Sequence, residues 1–268
     1  MTRPASLYTL GEEDNDLQFI NMIVYGYPGV GKTPFWGTGG KRVLIMDSDK
    51  GLESAEAAGS DATAMPVVDY DSLQEAYDFV KHEAIPAGEF DWVVWDSITL
   101  FQDRALIDDV LKDAAAANPR QDPHVASQRE YLVNQNRMME FVRMFVDLPI
   151  NFGVSAHVLP DEDPEGEIIY MPDVRGKNMP SKLTGYMNVV CYMATKEGEK
   201  PRFITEKRDH YFARDRFGAL KTTSGKGVVI DPTVPKIEAL VAKARAERVA
   251  AKAKPAPRTR RRRPTSAS

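Results

Sequence analysis

The sequence predicts an α/β fold: a mostly parallel, twisted sheet flanked by helices, with a β extension and a C-terminal helix. Three observations carry this. Short runs rich in Val and Ile alternate with helix-patterned stretches, which implies parallel crossovers and a sheet covered on both faces. The first such run stops at a glycine-rich loop, "GYPGVGKT" (26–33). A later one, "WVVWDS", leaves a carboxylate, Asp96, at its end.

The elements follow in chain order. Residues 1–18 are polar and read as irregular. "FINMIVYG" (19–26) is a buried strand, and "RVLIMDSD" (42–49) a second one ending in carboxylates. "DSLQEAYDFVKHEA" (71–84) is a helix, with Ser72 and Glu75 at capping-box spacing and Leu73, Ala76, Tyr77 and Val80 on one face. "FDWVVWDS" (90–97) is a third buried strand, and the helix of 97–117 follows until "NPRQDPH" breaks it. An amphipathic helix spans 127–148, and "INFGVSAHV" (150–158) is a fourth buried strand. Residues 159–183 form a long polar excursion, of the kind that is functional or disordered. "MNVVCYMAT" and "PRFITEKR" read as two further strands, antiparallel to one another. Pro235 suits the first turn of a last helix, and "PAPRTRRRRPTSAS" is expected to be disordered. The expected organisation is therefore an N-terminal segment (1–18), a core (19–232), a helix (233–254) and a basic tail (255–268).

Composition narrows the function. Hydrophobic residues make up 43% of the 268, enough for a real core. No apolar run approaches the ~20 residues that span a bilayer. The N-terminus lacks the basic-then-apolar order of an export signal. Cys191 is the only cysteine, which predicts an intracellular, cytoplasmic location and excludes a structural zinc site built on cysteines. The net charge of −4 hides an asymmetry: from Lys243 onward ten Lys or Arg stand against one Glu, leaving −13 on the preceding residues. An acidic body with a basic tail is a partner signal.

"GYPGVGKT" matches G-x-x-x-x-G-K-[ST] at every fixed position, after a strand and at a helix start. The nucleotide-binding residues are expected to be Gly26, Pro28, Gly29, Val30, Gly31, Lys32, Thr33 and Pro34. Backbone N–H groups of such a loop point at phosphate oxygens, and the helix start adds partial positive charge. Lys32 is expected to reach the β and γ phosphates and Thr33 to ligate Mg²⁺. Pro34 is tolerated because first-turn N–H groups have no intrahelical partner. Asp96 ends a buried strand where open α/β sheets bind ligands, about 65 residues beyond the loop, and is the second expected Mg²⁺ partner. Asp49, ahead of Asp47, is the candidate to orient the attacking water. His157 ends the fourth strand and is the candidate sensor of the γ phosphate. ATP and Mg²⁺ are the expected cofactors.

This layout resembles the RecA-like P-loop ATPase superfamily, and in particular the phage-encoded ATPases used as recombinases or single-strand annealing proteins. The carriers are "GYPGVGKT", "LIMDSDKGLES", "WVVWDSIT", "GVSAHV" and "RDHYFARDRFGAL", spread over roughly residues 19 to 220. The resemblance implies that Asp49 stands for the usual water-activating Glu, one methylene shorter. It makes 159–183 the candidate DNA loop, with Arg175, Lys177 and Lys182, although "DEDPEGE" within it is acidic. It makes Arg214 and Arg216 possible trans-acting charges on a neighbour's γ phosphate, in a homo-oligomeric ring or filament. Arg260, Arg261, Arg262 and Arg263 add a sequence-independent affinity for single-stranded DNA. The implied function is a DNA-stimulated ATPase of phage recombination or annealing in the host cytoplasm, with a single-strand binding protein or replication factor as a further partner. The alternatives are a P-loop kinase of a nucleotide or small molecule, and a helicase-loader-type ATP switch.

Overall fold

The computed structural model describes residues 19–118, 120–162, 165–208, 210–221 and 227–253. The expected irregular segment 1–18 and the basic tail 255–268 lie outside them.

Buried apolar runs become the middle of the sheet. β1 (Asn21–Tyr25), β2 (Val43–Asp47) and β4 (Trp92–Asp96) are buried at every residue, as strands covered on both faces must be. Between them lie α1 (Lys32–Gly37), α2 (Glu53–Ala57), the edge strand β3 (Thr63–Pro66) and α3 (Tyr70–Phe79). α3 runs on through a π-helical turn (Val80–Ala84) into α4 (Ile85–Ala87). After β4, α5 (Ile98–Ala105) continues through a second π-helical turn into α6 (Lys112–Ala117), and α7 (Gln128–Val146) leads to β5 (Asn151–Ala156). Then come β6 (Val158–Glu162), β7 (Ile168–Pro172) and α8 (Met179–Tyr186). The chain closes with β8 (Val189–Ala194), β9 (Arg202–Ile204), β10 (Arg214–Asp215), β11 (Val228–Ile230) and α9 (Val234–Ala253).

The nine-stranded sheet has the order β11-β9-β8-β1-β5-β4-β2-β3, with β10 also on β8. From β3 through β8 every neighbouring pair is parallel. β9 returns antiparallel to β8, as expected, and β10 and β11 extend the antiparallel end. One face of the sheet packs against α3, α5, α7 and α8 through residues such as Leu73, Phe101, Phe145 and Leu183. The other packs against α1 and the first half of α9 through Phe35, Trp36, Ile237 and Val241. Trp92 Nε1 donates to Glu238 Oε1 at 2.8 Å and pins α9 there.

Two expectations need correction. The N-cap of α3 is Asp69: its carboxylate accepts from Ser72 N at 2.8 Å while Ser72 Oγ accepts from Asp69 N at 3.1 Å. Ser72 thus closes the box from the third helical position and Glu75 has no part in it. Second, the excursion 159–183 is structured. "IIYMP" pairs with "VLPDE" as a separate two-stranded antiparallel sheet, and Pro180 sits in the first turn of α8, where its missing N–H is harmless.

Candidate functional site

β1 stops at Tyr25 in the middle of the sheet and the chain turns sharply. Gly26 is obligatory there: a Cβ would lie 2.5 Å from the Met193 carbonyl oxygen on neighbouring β8. Gly31 has φ +100, the left-handed region open to glycine, and it is the N-cap of α1. Thr195 Oγ1 donates to Val30 O at 2.9 Å and ties the loop to the end of β8. Tyr27, Pro28 and Gly29 form the exposed crest. The first i to i−4 bond of α1 runs from Phe35 N to Gly31 O at 2.9 Å, so Pro34 falls in the first turn, where its missing N–H costs little. α1 spans only six residues. Its dipole is correspondingly small, and the donors it leaves for an anion are the N–H groups of the loop itself.

Lys32 is 8% exposed, and its Nζ donates to Gly26 O and Tyr27 O, each at 3.0 Å. Burial lowers its pKa while Asp96 and Asp49 act to raise it. Thr33 Oγ1 donates to Asp96 Oδ2 at 2.6 Å. Asp96 is 2% exposed. Burial pushes its carboxyl upward, against the hydroxyls of Thr33 and Ser155 and the charge of Lys32. Asp49 is pushed up to about 6, first by burial and then by the charges of Asp96 and Asp47. Asp47 is spent locally: its Oδ1 accepts from Lys50 N at 2.8 Å and Asp49 N at 3.3 Å, capping the turn. Asp49 takes part in the same turn, its carboxylate accepting from the backbone of Gly51. Ser97 Oγ, beside Asp96, is buried with no hydrogen-bond partner among the described residues.

These residues fit a nucleotide-bound magnesium. Among the described residues no three His, Cys, Asp or Glu side chains form a metal cage of their own. Mg²⁺ usually takes one or two carboxylates and fills its remaining positions with phosphate oxygens and water. One hydroxyl and one carboxylate beside a phosphate loop match that demand. So does the excess of negative charge, three carboxylates against one lysine.

β5 lies between β1 and β4, so its C-terminal end faces both the loop and Asp96. His157 follows directly and is half-buried. Burial lowers the pKa of its imidazole, as does Lys32; Asp173, Asp96 and Asp103 oppose. Its backbone is held on both sides, with His157 N donating to Thr99 Oγ1 at 2.9 Å and His157 O accepting from Asp173 N at 2.8 Å. The β6–β7 hairpin that follows is rooted by backbone bonds from Tyr170 N to His210 O and from Phe212 N to Tyr170 O, and by three side chains. Tyr25 OH lies within 3.0 Å of Tyr170 O and 2.6 Å of Phe212 O. Thr99 Oγ1 donates to Asp173 O at 2.7 Å. The Gln102 amide donates to Arg175 O at 3.0 Å and accepts from Arg175 N at 2.6 Å.

The basic residues of this stretch separate from its acids. Asp161 and Glu162 stand exposed on the hairpin, whereas Lys177 and Lys182 are exposed beside and on α8. Arg175 pairs with Asp103 of α5 at 2.8 Å. Arg214 and Arg216 sit far from this chain's own loop. Arg214 pairs with Val190, level with Ile23 in the middle of β1, and Arg216 N donates to Asn188 O, before the start of β8. Arg214 donates to the carbonyls of Thr184 and Met187, and Arg216 to that of Gly185, covering the C-terminal end of α8. Arg260, Arg261, Arg262 and Arg263 lie outside the described residues.

Strand order and loop geometry together define the class: this is a RecA-like α/β P-loop NTPase. More narrowly, the chain belongs to the family described as an AAA domain, which matches residues 18–217. No curated protein matches the sequence. Among solved structures, the KaiC-like protein from the hyperthermophilic archaeon Pyrococcus horikoshii OT3 is similar, at 10% identity over 70% of this chain and 78% of that one, with a TM-score of 0.42. Among the described residues no helix is long and apolar enough to cross a membrane. Sequence reasoning did not single out Tyr25, Trp36, Thr99, Gln102 or Ser155. The one signal it had was Ser155, a lone hydroxyl inside the apolar strand "FGVSAHV".

Proposed function

We propose that the protein is a Mg²⁺-dependent ATPase that couples ATP binding and hydrolysis to binding of single-stranded DNA. The observation that carries the enzymatic half is the Thr33–Asp96 contact at 2.6 Å beside a buried lysine in a glycine-rich loop. In this reading the loop N–H groups and Lys32 hold the β and γ phosphates. Thr33 and Asp96 would hold the magnesium, which would supply positive charge against the negative charge of the phosphate oxygens. Asp49 accepts a proton from the attacking water. His157 reports the state of the site to the hairpin through its backbone ties to Thr99 and Asp173.

The DNA half is supported by the resemblance to phage recombination and annealing ATPases, by the exposed Lys177 and Lys182, and by the arginine-rich tail with Arg260–Arg263. Arg175 joins them by leaving Asp103 for a phosphate. Assembly as a homo-oligomer places Arg214 and Arg216 of one copy near the next copy's nucleotide, once released from α8. A single-strand binding protein or replication factor is the further partner this role implies.

The test is ATP turnover with and without single-stranded DNA, for the wild type and Lys32→Ala. Wild-type turnover should rise with DNA, and Lys32→Ala should lower it about 100-fold or more. Absence of ATP binding by the wild type would sink the reading. Turnover indifferent to DNA, with a phosphorylated acceptor, would redirect it to a kinase.

A further inference from the structure

The carboxylate of Asp96 stands between two hydroxyls. Thr33 Oγ1 donates to Oδ2 from α1. The Ser155 hydroxyl, on the neighbouring strand, lowers the pKa of the carboxyl against its burial. The β4–β5 register sets Trp95 level with Val154, so the next residues, Asp96 and Ser155, lie side by side on the α1 face of the sheet. Ser155 is in turn held by Trp36, whose Nε1 donates to Ser155 Oγ at 2.9 Å. An indole nitrogen can only donate, and a serine hydroxyl has one proton. With its oxygen accepting from Trp36, Ser155 keeps that proton for Asp96.

Both side chains are 0% exposed, so water does not take their place. Trp36 has no freedom either. It packs on Gly153, where a Cβ would lie 2.6 Å from ring atom Cη2. Thr33 and Trp36 are three residues apart on α1 and share a face. Four side chains therefore lie in succession from α1 through β5 and β4 back to α1, joined by hydrogen bonds at Trp36–Ser155 and Thr33–Asp96 and by strand register between Ser155 and Asp96. Of these four residues only Thr33 belongs to the phosphate-loop motif.

We infer that Ser155 and Trp36 are positioning residues for the metal site, fixing the Asp96 carboxylate in one orientation so that it and Thr33 offer Mg²⁺ a pre-set pair of oxygens. This rests on the reading of the loop as a magnesium–nucleotide site. Groups that orient a metal ligand typically carry 10–100-fold of metal affinity or activity. The effect should therefore appear as magnesium dependence and not as a general loss of nucleotide affinity.

The experiment titrates Mg²⁺ against binding of a fluorescent, non-hydrolysable ATP analogue to the full chain, with thermal melting of each variant recorded alongside. Ser155→Ala should raise the Mg²⁺ concentration for half-saturation about tenfold and leave Mg²⁺-free nucleotide affinity unchanged. Trp36→Phe keeps the ring and loses the donor, and should produce a smaller shift in the same direction. The double variant should match Ser155→Ala alone, because Trp36 acts through Ser155. Unchanged magnesium dependence in Ser155→Ala overturns the inference. So does an equal loss of affinity with and without Mg²⁺, which marks a merely structural serine, or additive shifts in the double variant. If Trp36→Phe does not fold, Ser155→Ala alone decides through its two arms. A wild type whose nucleotide affinity ignores Mg²⁺ refutes the metal-site reading itself, and the inference with it.

Discussion

The phosphate loop and the stretch after His157 leave adjacent parallel strands, β1 and β5, at the same edge of the sheet. They are built in opposite ways. The loop is short, and its shape is dictated by its own residues: Gly26 has no room for a side chain and Gly31 takes a left-handed φ. The hairpin has little that dictates its place from within. It is fixed from elsewhere in the chain, by the side chains of Tyr25, Thr99 and Gln102 and by backbone pairing of Tyr170 with residues 210–212. Two of these stand next to the chemistry, since Tyr25 precedes Gly26 and Thr99 lies one turn after Asp96. A rigid local motif can thus govern a neighbouring segment of its own sheet edge through buried hydrogen bonds.

The largest test of this contrast is on the loop side. Asp49→Asn should lower ATP turnover about 100-fold or more while nucleotide affinity is retained. Wild-type turnover should fall as pH drops through about 6, because a protonated Asp49 cannot accept the proton of water. Wild-type rates in Asp49→Asn would remove its role. A middle-sized test is on the hairpin root. Gln102→Ala leaves the N–H and C=O of Arg175 unpartnered, at a local cost of about 1–3 kcal/mol. Amide exchange should accelerate across Val158–Pro172 and stay native in α1; equal acceleration in both would show the hairpin and loop to be one unit. The smallest effect belongs to the exposed lysines. Lys177→Ala or Lys182→Ala should each flatten the salt dependence of single-strand binding by up to about 0.7 in log–log slope. An unchanged slope would remove α8 from the DNA face.

The same contrast decides what the sequence made legible. The central strands announced themselves because strands buried on both faces are continuously apolar, as "VLIMD" and "WVVWD" are. The loop was legible because eight residues suffice to specify it. β3 escaped notice: "TAMP" is an exposed edge strand with no apolar run. The hairpin was hidden by its acids, and the cap of α3 by the presence of two plausible starts three residues apart, Asp69 and Ser72. The Trp36–Ser155 contact joins residues 119 apart in sequence, and no local pattern encodes such a pair. The loop residues proposed to touch phosphate are written in a motif; those packed around them are written in strand register.

The three tryptophans give the architecture an optical consequence. Trp36, Trp92 and Trp95 are each at most 1% exposed, and the rings of Trp36 and Trp92 lie 5.6 Å apart. All three emit from a water-free interior, so native fluorescence is blue-shifted and shielded from aqueous quenchers, and unfolding moves it to the red. Because Trp36 follows Thr33 by less than one helical turn, the chain carries an intrinsic probe beside its phosphate loop and needs no added label to report on it.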